Sequence, residues 1–177
     1  MDNKLGLSAN YLVNIQQLLI NDEVFMRLLK YAPEGMNGRT YVPDPLDESL
    51  PNVVNPQSDD YWKLVEERVR QGSKRSDINN TELCIVYIYH GRKRRIFDNR
   101  TLVKQEIKID IYIHESFELD NRMDRLSDRL SYLLMGETGI AGIGRMDYVG
   151  ANPREAPIGY RKQEEIYVYS TGSKRVK

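Results

Sequence analysis

Residues 82–114, ELCIVYIYHGRKRRIFDNRTLVKQEIKIDIYIH, decide the architecture. The stretch opens and closes with period two, the spacing that sends successive side chains to opposite faces of a sheet. In the first half Leu83, Ile85, Tyr87 and Tyr89 point one way and Cys84, Val86 and Ile88 the other. Both faces are largely apolar, which predicts a central strand covered on both sides. In the second half Ile107, Ile109, Ile111 and Ile113 form one face, and Glu106, Lys108, Asp110 and Tyr112 form the other. That pattern predicts a strand with one wet or inter-subunit face. Between the strands lies a basic run, Arg92, Lys93, Arg94 and Arg95, with Arg100 close behind. The expectation is a long hairpin with the basic run at its tip.

Working outward, ELDNRMDRLSDRLSYLLMG (118–136) is the clearest helix: Met123, Leu126, Leu130 and Leu133 recur at spacings of three and four, and Gly136 ends it. GRMDYVG and RKQEEIYVYST then predict two more strands. The order from residue 82 is β-β-α-β-β, an α+β fold with an antiparallel sheet of about four strands packed on helices. Upstream, Leu12, Ile15, Leu18 and Leu19 mark one helix and Val24, Phe25, Leu28 and Leu29 a second, with a break and new cap at Asn21–Asp22. Residues 32–58 hold five of the seven prolines and read as a long arm without regular structure, able to reach a neighbouring subunit. SDDYWKLVEERVRQG (58–72) reads as a helix capped by Ser58, with Trp62, Val65 and Val69 sharing a face and Trp62 a core anchor. The expected division is 1–81, helices and Pro-rich arm, and 82–177, sheet plus helix, within one compact domain. The tail GSKRVK is expected to fray.

Charge restricts function. Lys plus Arg equals Asp plus Glu, 26 each, which counts against a general nucleic-acid binder. The balance is uneven: residues 1–60 carry four bases and nine acids, and residues 61–177 carry 22 bases and 17 acids. An acidic part of one subunit facing a basic part of the next fits that split. Nothing resembles a signal peptide, and the apolar runs fall far short of a membrane span, so a soluble, cytoplasmically made protein is expected. The single cysteine, Cys84, reads as a buried reduced thiol. No cofactor and no catalysis are expected. His90 and His114 end two antiparallel strands at opposite edges and cannot share a metal. GETGIAGIGR (136–145) lacks the Lys-Ser/Thr of a phosphate loop. Glu164 and Glu165 are adjacent and point apart on a strand.

The series ELCIVYIYHGRKRR, LVKQEIKIDIYIH, RMDRLSDRLSYLL, TGIAGIGRMDYVG and APIGYRKQEEIYVYST resembles the tail terminator, or tail-completion, proteins of long-tailed bacteriophages, also called tail-to-head joining proteins. The resemblance covers roughly residues 82–171 and rests on element order and general character. It implies an α+β subunit that forms a ring, typically a hexamer, which caps the tail tube and meets the head connector or stopper in the virion neck. It implies self-association, tail-tube and connector partners, a passing contact with DNA in the lumen, no membrane, and location in the virion after assembly in the host cytoplasm. It offers no catalytic residues. The N-terminal helices and arm depart from the family pattern, which keeps open a neck or connector adaptor at the same junction. A small nucleic-acid-binding module using the basic run is the other alternative. The residues expected at an interface are Arg92, Lys93, Arg94, Arg95, Arg100, Glu106, Lys108, Asp110 and Tyr112.

Overall fold

The computed structural model describes residues 7–73, 82–96, 99–136 and 139–172. The expectation for the tail falls on 173–177, outside the described residues. Five strands form one sheet in the order β3-β4-β5-β7-β6. Its spine is the hairpin of β4 (Cys84–Ile96) and β5 (Asn99–His114), paired from Cys84↔Ile113 outward. β7 (Tyr160–Gly172) runs antiparallel along β5 from Leu102 to His114, and β6 (Ile143–Arg154) closes that edge. Pro153 lies in β6, an edge strand, where a missing backbone donor costs no ladder bond.

β3 (Val69–Gln71) is the fifth strand, where the sequence suggests the end of a helix. Val69 is buried and β-branched, and pairing in parallel with Val86–Ile88 satisfies the backbone of these residues. Gln16 reaches across to donate to the Val69 carbonyl at 2.9 Å, which fixes this edge to the first helix.

Helices α1 (Leu7–Ile20), α2 (Glu23–Lys30), α3 (Asp59–Arg68) and α4 (Arg122–Gly136) contribute to the same core cluster as one face of the sheet. Asp22 is the cap between α1 and α2 that the sequence indicates: its carboxylate accepts from the Phe25 amide at 2.7 Å. Ile15, Leu19, Phe25, Leu28 and Leu29 meet Val86, Ile88, Ile107, Ile109 and Ile111 in one apolar cluster. Cys84 belongs to it, fully buried, and burial pushes its thiol up to about 12. A thiol reagent at pH 8 therefore leaves the native protein unmodified and titrates one equivalent after denaturation; reaction in the native state would contradict this placement.

The helix predicted over 118–136 is divided. A 3-10 turn (Glu115–Asp120) leads to Asn121 in the left-handed conformation, and α4 starts afresh at Arg122. Arg122 is fully buried despite lying off the apolar stripe. Its guanidinium donates to the Leu28 carbonyl, to the Tyr31 carbonyl at 2.9 Å and to both Asp120 oxygens. It thereby caps the C-terminal end of α2, whose last carbonyls have no intrahelical donor.

The Pro-rich segment also departs from expectation. It contains a small hairpin, β1 (Gly35–Asn37) with β2 (Thr40–Val42), turned at Gly38-Arg39 with Gly38 at φ 65°. Beyond it the chain is tied to its own helices. Arg125 forks onto Asp44 at 2.8 and 2.9 Å, and Glu23 accepts from the Val53 and Val54 amides, both at 2.8 Å. Arg27 donates to the carbonyls of Asp47 (3.0 Å), Leu50 and Pro51 (3.4 Å). Residues 44–54 are thus committed within the subunit, and the exposed hairpin with Met36 and Tyr41 is the part that projects. On α3 it is Tyr61 and Val65 that enter the core; Trp62 lies 45% exposed, stacked edge-on against Tyr61.

Candidate assembly interface

The helices cover one face of the sheet. The other face is built by the even-numbered residues of β5 with their neighbours on β4, β7 and β6. Register places Glu106 beside Val168, Asp110 beside Glu164 and Tyr112 beside Lys162. Glu164 and Glu165 do point apart: Glu165 turns to the helix side, where Ser127 and Gln163 donate to it, each at 2.6 Å.

On the second face the polar side chains pair laterally. Glu164 accepts from Lys108 at 3.0 Å and from Arg154 at 2.6 Å. Asp110 accepts from Lys162 at 2.6 Å and from the Tyr89 hydroxyl at 3.1 Å. Lys162 also lies over the Tyr112 ring, which meets Tyr87 edge-on. The face expected to be wet is therefore largely closed within the subunit. Asp110 and Tyr112 are buried, and Lys108 and Glu106 are mostly covered. Tyr87, Tyr89 and Lys162 are long enough to roof the shorter carboxylates beside them. The ion pairs run diagonally across the ladder, Lys108 to Glu164 and Lys162 to Asp110, which separates the two facing carboxylates Asp110 and Glu164 by giving each its own cation.

The network carries a pH dependence. Burial pushes the Glu164 carboxyl up, but the hydrogen bonds from Arg154 and Lys108 outweigh it and hold the group below the usual carboxylate range. A depressed folded-state value means its stabilisation is present above the unfolded value, about 4.3, and is lost as pH falls through the folded one. Thermal stability should fall on acidification below about pH 4.3, and Glu164→Gln should flatten that limb. An unchanged acid limb in Glu164→Gln would assign the pH dependence elsewhere.

The basic run lies in β4 itself rather than at the turn. After an irregularity in the ladder between His90 and Lys93, Lys93 pairs with Gln105, Arg94 with Lys104 and Arg95 with Val103. The charged residues are long and polar enough to continue the strand beyond the covered core. Arg92, Lys93, Arg94 and Arg95 are all exposed. Arg94 shares the Glu106 side of the ladder, at 3.7 Å from its carboxylate, and the alternation sends Lys93 to the opposite side, while the ladder is irregular again between Arg95 and Ile96. Glu106 also accepts from the Arg92 amide at 3.0 Å. Arg100 belongs to β5; its side chain lies outside the described residues. Thus Glu106 and Arg94 come together, Lys108, Asp110 and Tyr112 form the covered network, and Arg92, Lys93 and Arg95 are exposed to solvent.

His90 pairs with Ile107 and His114 with Tyr160, seven positions apart along β5, roughly 23 Å. Among the described residues no group of three or more His, Cys, Asp or Glu side chains is arranged to hold a metal, and no helix is long and apolar enough to cross a membrane.

A twisted sheet with helices on one face, a charge-laced second face and a basic β4–β5 extension defines an α+β subunit. The chain belongs to the YomW family, whose model matches residues 22–169. Among solved structures it is similar to a chain of the virion of a native gene transfer agent particle. That likeness has a TM-score of 0.52 at 12% identity and covers 96% of this chain and 100% of the other. It shows a shared fold. No curated protein matches the chain.

Proposed function

We propose that this protein is a structural virion subunit that forms a ring at the head–tail junction, caps the tail tube and joins it to the head connector. The observation that supports the reading is the likeness, over 96% of this chain, to a chain of a gene transfer agent virion. The mechanism is assembly, without cofactor or catalysis. The α4-backed sheet forms the ring wall, a hexamer by resemblance to tail terminators, and the exposed Arg92–Arg95 segment docks on a neighbour. Its partners are further copies of itself, the tail-tube protein and the connector or stopper, and its place is the neck of the virion. An adaptor on the connector side of the same joint uses the same surfaces. Removing the gene from a producing cell should leave filled heads and separate tails. Normal joined particles without this protein would reject the role.

The exposed cations of β4 favour a second reading, contact with nucleic acid in the lumen or in isolation. It requires binding that weakens steeply with salt and is lost when Arg92, Lys93, Arg94 and Arg95 become Ala. Absence of binding at low salt would dispose of it.

A further inference from the structure

The exposed end of β4 forms one wall of a groove. Ile96, Val149 and Val168 supply its apolar part, and Arg92, Arg94, Arg95 and Lys104 surround them. Two carboxylates, Glu106 and Asp147, share the lining, so four cations face two anions. The groove has a volume of about 370 Å³, within the range of clefts that hold a bulky group. Val149 is 60% exposed.

The outward side of α3 has the opposite character. Trp62 is exposed there, its indole N–H held by the Pro56 carbonyl at 3.0 Å. Asp59, Asp60, Glu66 and Glu67 are exposed on the same helix, against one exposed cation, Lys63, which pairs with Asp60 at 3.5 Å. Exposed tryptophan with a charged rim is the composition of an interface anchor, and arginine is its natural partner through the ring face.

Within one chain these two surfaces cannot meet. α3 buries Tyr61 and Val65 in the core beneath the helix face of the sheet. The groove is lined by Arg94, Glu106 and Val168 on the other face, toward the far end of β4. Complementary patches on different sides of a subunit make a head-to-tail contact, the kind that closes a ring.

We propose that the groove at the end of β4 receives Trp62 and the acidic side of α3 from a second copy of this chain. The contact rests on the ring-subunit reading and names the surfaces that build the ring. The indole enters the apolar part, and the carboxylates of α3 meet Arg92, Arg95 and Lys104, with Arg94 shared between Glu106 and the incoming helix.

The test uses the full chain, with self-association followed by sedimentation velocity, in solution and on isolated tail tubes. Trp62→Ala, Arg92→Glu/Arg95→Glu and Asp59→Arg/Glu66→Arg should each weaken association at least about tenfold, the equivalent of one 1.4 kcal/mol step. Their thermal midpoints should stay near the wild-type value, since the altered side chains are exposed. Combining the two charge-reversed pairs in one chain should restore association toward wild type. Wild-type rings unaffected by these variants, or losses that the combination fails to rescue, would overturn the contact and leave the ring reading standing. A wild-type chain that stays monomeric in solution and on tail tubes would overturn both.

Discussion

Arg122→Ala should destabilise the subunit by about 3–5 kcal/mol, the cost of removing one partner from a buried ion pair. For a chain of this size each kcal/mol shifts the midpoint by about 2–4 °C, so thermal unfolding should begin roughly 10 °C earlier. The reason is the number of groups that one side chain satisfies. Arg122 is fully buried and serves Asp120, the Leu28 carbonyl and the Tyr31 carbonyl together, with its guanidinium against the Phe117 ring at 5.3 Å. Alanine would leave the C-terminal carbonyls of α2 without a donor and a cavity between α2 and α4. Arg125 would still hold Asp120 at 2.9 Å, so the carboxylate itself keeps a partner. Arg122→Lys keeps the charge but cannot fork across three acceptors, and should fall between the two. A melting curve for Arg122→Ala within a degree of wild type would remove this residue from the account of stability.

Arg94→Glu/Arg95→Glu should abolish head–tail joining while the subunit folds normally. Both side chains are exposed, and Arg94 has one long intramolecular ion pair, 3.7 Å to Glu106. Surface substitutions of this kind move stability by about 0.5 kcal/mol or less. In an interface the same reversal turns attraction into like-charge repulsion, which costs several kcal/mol and recurs at every copy of the contact. Complementation with the variant should therefore yield unjoined heads and tails from a protein with wild-type far-ultraviolet circular dichroism. Normal yields of joined particles would count against a docking role for this segment. If the segment instead touched DNA only, joining would persist and salt-dependent DNA binding would be lost.

What could be read from the sequence was what is local and periodic. The Ile107–Ile113 alternation gave β5, its partner gave β4, and Asp22 marked the break between α1 and α2. What could not be read depended on partners far along the chain. Arg122 sits among charged neighbours and off the apolar stripe; its burial is decided by carbonyls at residues 28 and 31. β3 is three residues whose extended form follows from a parallel partner, Val86–Ile88, with no signal of its own. Tyr61 and Trp62 are adjacent aromatics, and a small rotation of α3 decides which enters the core; the Tyr61 hydroxyl, donating to the Ile20 carbonyl at 2.8 Å, favours Tyr61. The candidate interface was located by charge. That Asp110 and Tyr112 are covered by Lys162, Tyr87 and Tyr89 required the register of three strands, and it narrows the exposed surface to the β4 end.

The central claim, a ring subunit at the head–tail junction, is tested most directly by electron microscopy of the purified chain mixed with isolated tail tubes and head connectors. The account predicts a ring one subunit thick at the end of each tube, present also where tube and connector meet. Bare tube ends beside a chain that stays monomeric and binds neither partner would contradict it.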